Sequence, residues 1–523
     1  MSALARTRPP RRRALPAAGC ALLVPLLLGT AATPPPAAGP DPAREAARLS
    51  RELVAASTTA GALKHLRRFQ EAADAAGGHR AAGSAGHEAS ASYVLTQLRR
   101  AGYDARYATF PFTWTETLAE KLAVVTPAPR DARVEAMTYT ASTPEGGLTA
   151  ELVRVPVDAT PGCEAADYAG TEVTGRIALV VRGGCSFLQK QATAAAAGAA
   201  GALISNHLDG KLTGTLGDPA AVRIPTGGIT RAEGERLAEA IAGADGGTVT
   251  VTLELRERQE ERTTGNVVAQ TPGGDPAHTV MFGAHLDSVP EGPGINDDGS
   301  GSAGLLDVAL RLAATHRTPV NAVRFAWWSA EENGLVGSDA YVAGLTAADR
   351  RRIALYLNFD MIASPNGVQF VFDGDDSDAS GAGPGPAGSA QLERGITAFL
   401  DRRTTPYQSS DFTGRSDYGP FIEAGIPSGG TDTGAEGIKS AAQAEVFGGT
   451  AGIAYDPCYH AACDTLSNVD PAAFETNIDV IADAVGTYSQ DLRSLTGPLP
   501  AAAGTDRRDG GGHLRTGHGR DAA

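Results

Sequence analysis

Apolar segments alternate with an amphipathic helical pattern in the second half of the chain, and this alternation constrains the fold more than any other feature. The segments are HTVMF (278–282), VRFAWWS (323–329) and LYLNFDMI (355–362). Between the first two, the stretch GLLDVALRLAA places its apolar residues on one helical face: Leu305, Val308, Ala309 and Leu312. Near-continuous apolar strands are typical of a sheet that is buried on both faces. We therefore predict an α/β domain with a layered, mostly parallel sheet flanked by helices.

The first 38 residues have the pattern of an export signal. The basic segment RTRPPRRR precedes the apolar stretch ALPAAGCALLVPLLLGTAA, which ends in small residues, so we expect cleavage after Ala32 or Ala38. The apolar core is short and is interrupted by Pro16 and Pro25, which disfavours a membrane anchor. The sequence therefore predicts a secreted, extracellular protein without stable membrane association.

Length and charge restrict the organisation and the partners. A chain of 523 residues is too long for one ordinary core. Its formal net charge of −15 disfavours a nucleic-acid partner. We predict an α/β domain over 256–497, to which the helical N-terminal residues 39–140 also belong. Between these two parts lies a separate β-rich inserted domain over 141–255, and residues 498–523 form a disordered tail poor in apolar residues. Nothing in the sequence predicts an oligomeric state.

Four cysteines remain after removal of the signal, an even number in an oxidising environment. Proximity along the chain favours the pairs Cys163–Cys185 and Cys458–Cys463, although four cysteines allow three connectivities. A zinc site built on Cys458 and Cys463 is the alternative for the second pair, and export favours the disulfide.

Polar residues of the metal-ligating types come directly after the apolar strands. His285 and Asp287 follow the first strand, and the same loop carries Asp297 and Asp298; the others are Glu331 and Glu332 after the second strand, Asp360 after the third, and His460 late in the chain. Ligands of α/β sheets bind in the loops beyond the carboxyl ends of the strands. Two imidazoles with several carboxylates fit a pair of divalent cations such as zinc, with one carboxylate bridging.

Five ordered motifs carry a resemblance to a known family. The motifs HLDSVPEGPGINDDGSGSAG, WWSAEENGLVGS, LNFDM, RSDYGPF and CYHAACD resemble the M28 family of metallopeptidases, and within it the secreted bacterial zinc aminopeptidases. The likeness covers roughly residues 263–495 and the helical start. Residues 162–206 resemble a protease-associated (PA) domain, which implies an insertion in the peptidase without catalytic residues of its own.

The resemblance implies a role for each site residue. His285 and Asp360 are expected to hold one zinc, Glu332 and His460 the other, and Asp297 to bridge both. Glu331 is expected to be the general base, Tyr459 to donate a hydrogen bond to the oxyanion and Arg415 to contact substrate. Asp287 is expected to hold the ring of His285, and Asp298 to support the site after a cis peptide bond; the alternative for Asp298 is the N-terminal acid of the following helix. For Arg415 the alternative is a surface ion pair with Asp417.

The expected activity is hydrolysis of N-terminal residues from peptides or proteins, with a leucine-like apolar preference suggested only by the family. Three alternatives stay open. One is another exopeptidase of the family, of carboxypeptidase or dipeptidase type, which would need a cationic pocket for a terminal carboxylate. The others are a glutaminyl cyclase, which uses the same scaffold with a single zinc, and a non-catalytic binding protein, which would be expected to have lost ligands.

Overall fold

The structure, a computed structural model, describes residues 41–207, 210–243, 248–379 and 383–496. The predicted export signal (1–38) and the predicted disordered tail (498–523) lie outside these residues. Within the described ranges, no helix has the length and apolar character needed to cross a membrane.

The described residues form helices and strands that alternate along much of the chain. The helices are α1 (Pro42–Ala56), α2 (Thr59–Asp74), α3 (Ala85–Arg100), α4 (Phe187–Ala196), α5 (Arg231–Gly243), α6 (Gly299–Ala314), α7 (Val336–Ala343), α8 (Ala347–Arg350), α9 (Ser389–Arg402), α10 (Gly419–Glu423), α11 (Ala441–Phe447), α12 (Pro471–Tyr488) and α13 (Arg493–Thr496). The strands are β1 (Asp104–Thr126), β2 (Arg130–Ala132), β3 (Glu135–Ala136), β4 (Leu148–Arg154), β5 (Ile177–Val181), β6 (Gly201–Ser205), β7 (Thr226–Ile229), β8 (Thr250–Gln270), β9 (Asp275–His285), β10 (Asn321–Trp328), β11 (Ile353–Phe359), β12 (Phe370–Phe372), β13 (Gln408–Ser410) and β14 (Ser428–Asp432).

The three apolar segments are the central strands β9, β10 and β11 of one sheet. The strand order is β13-β12-β14-β11-β9-β10-β8. Strand β9 is parallel to both β10 and β11, and β14 is parallel to β11. Strands β8 and β12 pair antiparallel with β10 and β14, respectively. The prediction of a mostly parallel sheet flanked by helices is confirmed.

Helices cover both faces of this sheet because each helix has an apolar side to bury. All four residues predicted for one face of α6 are buried. They share one hydrophobic cluster with residues of α1, α2, α3 and α12. A second cluster on the other face contains Val342 of α7 and Phe421 of α10. Burial of the sheet on both faces leaves the ends of its strands as the places for polar side chains.

The inserted domain is joined to the main sheet by a long ribbon. Strands β1 and β8 pair antiparallel from Asp104 and Gln270 to Thr126 and Thr250. Beyond this ribbon, β4, β5, β6 and β7 form a parallel set. Leu122 of β1 packs in one hydrophobic cluster with residues of β4, β5, β6 and β8. The limits of the inserted domain, 141 and 255, stay predictions. Strand β8 runs without interruption across residue 255.

Candidate metal centre

The predicted ligands lie at the carboxyl edge of the sheet. Strand β9 ends at His285, and β11 ends directly before Asp360. Strand β10 ends three residues before Glu331. Because these strands are parallel neighbours, their carboxyl ends meet at one edge, and the side chains that follow them converge there.

Asp297 lies between the two histidines. Its Oδ1 is 3.1 Å from Nε2 of His285, and its Oδ2 is 3.3 Å from Nε2 of His460. Each histidine also faces a second carboxylate. Nε2 of His285 is 3.5 Å from Oδ1 of Asp360, and Nε2 of His460 is 2.9 Å from Oε2 of Glu332. The structure therefore brings the five predicted ligands together as two groups that share Asp297.

The chemistry of these donor atoms fits a divalent metal. Imidazole nitrogen and carboxylate oxygen are both zinc ligands. Donor atoms of His285, Asp297 and Glu332 lie within 4.8 Å of one another. Oε1 of Glu332 and Oδ1 of Asp360 are buried without a hydrogen-bond partner among the described residues. Since buried polar atoms are normally satisfied, these oxygens are suited to accept a cation.

Burial and mutual charge perturb the acid–base properties of the site. Burial raises the pKa of Glu331 well above its usual value, although the neighbouring His285 opposes this shift. Burial lowers the pKa of His285, but the carboxylates of Asp360 and Glu331 outweigh this effect and raise that pKa well above its usual value. Burial raises the pKa of Asp297, but hydrogen bonds from His285 and His460 outweigh it and hold that pKa well below normal. Such concentrated perturbation is typical of functional sites.

Asp287 lies against His285, where it was expected, and also against the turn that carries the two glutamates. Nδ1 of His285 lies 3.2 Å from the main-chain oxygen of Asp287 and 3.7 Å from its carboxylate. The carboxylate accepts the backbone N–H groups of Glu331 at 3.3 Å and Glu332 at 3.4 Å. Asp287 therefore orients the histidine through its backbone and the glutamate turn through its side chain.

Asp298 joins three elements of the site. It follows Asp297 through a cis peptide bond, as the resemblance implies, and its side chain caps α6 by accepting from Gly301 N at 2.8 Å. The same Oδ1 accepts from Met361 N at 3.1 Å, and Oδ2 accepts from His285 N at 3.0 Å. Backbone donors therefore engage both oxygens of Asp298, which caps α6 and links it to the ends of β9 and β11.

Tyr459 and Arg415 lie together beside His460. The rings of Tyr459 and His460 stack with centroids 3.8 Å apart. Nη2 of Arg415 donates to the Tyr459 hydroxyl at 3.3 Å, and Nη1 donates to Glu436 at 2.8 Å. The predicted alternative, an ion pair of Arg415 with Asp417, is wrong, because Asp417 is fully buried and Arg415 is bound by Glu436 instead.

The two predicted disulfides are present. Cys458 and Cys463 are bonded with their Cα atoms 5.3 Å apart, and this bridge encloses Tyr459 and His460 in a short loop. In the inserted domain Cys163 is bonded to Cys185. The Cys458–Cys463 disulfide restricts the loop that presents His460.

Several residues that support the site were not identified from the sequence. Ser416 donates to Oδ2 of Asp360 at 2.6 Å, and Oδ2 of Asp464 accepts the backbone N–H of Asp297 at 3.0 Å. Both lie inside the motifs RSDYGPF and CYHAACD, so their position was a usable signal. The fully buried Arg80 donates to three main-chain carbonyls of the 286–294 loop. No local pattern marks Arg80, since its partners are remote in sequence.

The candidate site opens into a cavity of about 260 Å³. One wall is largely apolar and aromatic, with Met361, Phe370, Phe372, Tyr418 and Tyr455. The inserted domain contributes to another wall through residues that include Arg182 and Lys211. The cavity therefore combines carboxylates at the metal site with an adjoining apolar surface.

Comparison with known proteins agrees with this geometry. Residues 266–485 match the model of peptidase family M28, and residues 148–237 match the PA domain. The chain is 44% identical to the probable lipoprotein aminopeptidase LpqL of Mycobacterium tuberculosis, over 86% of this chain and 88% of the relative. It is 43% identical to leucine aminopeptidase 2 of Arthroderma otae, over 82% of this chain and 83% of that protein.

Solved structures show the same fold. An aminopeptidase from Aneurinibacillus sp. strain AM-1 superposes with a TM-score of 0.66 at 27% identity, covering 83% of this chain and 95% of that one. The zinc aminopeptidase BSAP from Bacillus subtilis superposes with a TM-score of 0.54 at 26% identity, covering 82% and 94%. With relatives of this identity across most of its length, the chain belongs to peptidase family M28 and carries a PA domain ahead of the matched peptidase segment.

Proposed function

We propose that this chain is an exported dizinc aminopeptidase that removes N-terminal residues, preferably apolar ones such as leucine, from peptides. The observation that carries the proposal is the placement of Asp297, which directs one oxygen to each histidine. His285 and Asp360 would hold one zinc, His460 and Glu332 the other, and Asp297 both. When bound, zinc polarises the scissile carbonyl and lowers the pKa of water toward neutrality.

Glu331 is the general base in this proposal. Its Oε2 lies 3.9 Å from Nε2 of His285, farther away than the oxygens of Asp297 and Asp360 at 3.1 and 3.5 Å. Burial raises its pKa well above normal, so this carboxylate can accept a proton from the attacking water and return it to the departing amine. Adjacent Glu332 is directed at His460 instead. One turn thus supplies both a base and a ligand.

Tyr459 is the proposed hydrogen-bond donor to the oxyanion that forms during hydrolysis. Because Arg415 donates to its hydroxyl oxygen, the hydroxyl proton is directed elsewhere and is available to substrate. Glu436 holds Arg415 in place through an ion pair of 2.8 Å. Arg415 therefore acts through Tyr459 and contacts substrate at the same wall of the cavity.

The cavity supports the choice of an N-terminal substrate with an apolar side chain. The carboxylates of Glu331 and Asp360 line it and would attract a free α-amino group. The aromatic wall beside them suits an apolar side chain. Relatives described as leucine aminopeptidases support the same preference.

Export is supported by the N-terminal signal pattern and by two disulfides in the described part of the chain. We retain 141–255 as the proposed limits of the inserted domain and 256–497 as those of the main catalytic segment. The domain insertion would then shape one wall of the substrate cavity.

The test is hydrolysis of leucine, arginine and glutamate p-nitroanilides by the secreted protein, beside N-acetyl-leucine p-nitroanilide, with zinc counted by mass spectrometry. We expect fastest turnover of the leucine substrate, no turnover of the acetylated one, two zinc ions per chain and loss of activity with a chelator. Full activity on the acetylated substrate would contradict aminopeptidase action. One zinc with cyclisation of N-terminal glutamine would identify a glutaminyl cyclase instead.

A further inference from the structure

A hydrogen bond from Tyr139, which lies at the edge of the inserted domain, reaches the turn that carries Glu331 and Glu332. The hydroxyl of Tyr139 donates to the main-chain oxygen of Asn333 at 2.6 Å. Asn333 directly follows Glu332, so this bond holds the Asn333–Gly334 peptide group, one residue beyond a proposed ligand and two beyond the proposed base.

Tyr139 packs against the inserted domain. Its side chain is 2% exposed and packs in one hydrophobic cluster with Phe187 and Leu212. The preceding residue, Thr138, is bonded through its backbone N–H to Gly214 O at 2.9 Å and accepts at its own oxygen from Leu216 N. The position of Tyr139 is thus set by contacts with the inserted domain, although the residue lies just before the predicted start of that domain at 141.

The backbone of Tyr139 has a φ of +71°. This left-handed conformation is disfavoured for a residue with a β-carbon, and it persists only where the surroundings enforce it. Backbone strain of this kind often accompanies a functional position. Here it accompanies a phenol directed at the catalytic turn.

The turn itself depends on contacts from both sides. Ala330, Gly334 and Leu335 of this turn have the left-handed backbone conformation. The main-chain oxygen of Glu331 accepts hydrogen bonds from Gly334 N at 2.7 Å and from Leu335 N at 2.9 Å. On one side Asp287 accepts the N–H groups of the two glutamates at 3.3 and 3.4 Å, which are long hydrogen bonds. On the other side the hydroxyl of Tyr139 makes a short hydrogen bond to the main-chain oxygen of Asn333.

The inserted domain also packs closely against this turn. A β-carbon at Gly334 would lie 3.3 Å from side-chain atoms of Thr215. Thr215 is bridged to Thr138, the neighbour of Tyr139. The same edge of the inserted domain therefore provides both the hydrogen bond and the packing contact.

We propose that Tyr139 is a positioning residue for hydrolysis, through which the inserted domain orients Glu331 and Glu332. The inference rests on the functions proposed above for these two glutamates. The hydroxyl of Tyr139 fixes the Asn333 peptide, and the fixed peptide keeps the base and the ligand directed toward different partners. The inserted domain is then part of the catalytic apparatus as well as a wall of the cavity.

The test compares Tyr139→Phe with Tyr168→Phe. Tyr168 is buried in the inserted domain, and its hydroxyl has no hydrogen-bond partner within the described ranges. The Tyr168→Phe variant therefore controls for the loss of a buried hydroxyl. Removal of one oxygen from Tyr139 preserves the packing of its ring. We expect Tyr139→Phe to lower kcat for leucine p-nitroanilide about three- to tenfold, the range for loss of one hydrogen bond, with KM changed less than about twofold.

Amide hydrogen exchange of residues 329–336 gives a readout that is independent of activity. Tyr139→Phe should accelerate exchange in this segment, whereas Tyr168→Phe should leave both exchange and kcat at wild-type values. Wild-type kcat and exchange in Tyr139→Phe would overturn the inference, as would equal losses in both variants. If the wild-type protein has no aminopeptidase activity, the proposed function fails, and unchanged exchange in Tyr139→Phe would overturn the positioning contact separately.

Discussion

Replacement of Glu331 by glutamine separates proton transfer from metal binding. Glutamine has nearly the same size but cannot accept a proton at neutral pH. The contact that Asp287 makes with residue 331 uses the backbone N–H and therefore survives the change. Because Glu331 lies outside the two histidine groups, Glu331→Gln should keep both zinc ions.

The expected loss follows from the role of a general base. Positioned acid–base groups contribute roughly 10²- to 10⁴-fold in rate, which corresponds to about 3–5 kcal/mol of activation free energy. We therefore expect kcat on leucine p-nitroanilide to fall by that factor while KM changes little. Steady-state kinetics and zinc content by mass spectrometry measure the two effects on the same preparation.

Glu332→Gln is the matched control, since it makes the same chemical change one residue along the chain. Oε2 of Glu332 is 2.9 Å from Nε2 of His460, so loss of this carboxylate should weaken the second zinc site and lower the zinc content toward one per chain. Equal zinc loss in both variants would show that the two roles are wrongly assigned. Wild-type kcat in Glu331→Gln would refute its role as the base.

Burial lowers the pKa of His65 to about 4, so the unfolded chain takes up a proton near pH 6.5 and the folded chain does so only near pH 4. The free energy of unfolding should therefore fall by about 3 kcal/mol as the pH drops from 6.5 to 4. In His65→Gln, the free energy of unfolding measured with denaturant should depend less on pH over the same range. Combined Cys458→Ser and Cys463→Ser substitution should free the loop that holds the second histidine and lower zinc affinity in a competitive chelator titration; unchanged affinity would contradict the bracing role. Arg415→Met should lower kcat about tenfold at constant zinc content, and a similar loss in Tyr459→Phe that is not additive with it would confirm that the two act together.

Local pattern was sufficient to predict the architecture and to indicate which side chains meet at the carboxyl edge of the sheet. The buried strands appear as apolar runs, and the α6 face repeats at helical spacing, because burial on a strand or a helix has a fixed period. His285 and Asp360 follow such runs, so their placement at one sheet edge was a consequence of parallel pairing. The specific roles came from the resemblance of the motifs, not from periodicity.

Other features depended on residues that meet only in the folded chain. Asp287 was expected to support the ring of His285, but the contact of its carboxylate with the backbone N–H groups of Glu331 and Glu332 was not predicted. Arg415 has Glu436 as its partner, which lies outside the motif that contains the arginine. Hydrogen bonds depend on distances of a few tenths of an ångström, and sequence neighbours do not report these distances.

The fold class, the types of the candidate ligands and the order in which they follow the strands could be predicted from the sequence, since these depend on periodicity and on chemistry within short motifs. The folded arrangement of remote segments was needed to see how Arg80 binds the carbonyls of the 286–294 loop and how Tyr139 reaches the glutamate turn. Both contacts join segments about two hundred residues apart, as Arg80 to Pro293 and Tyr139 to Asn333. A buried donor is recognisable only when its acceptor is known, and packing of distant segments brings the two together.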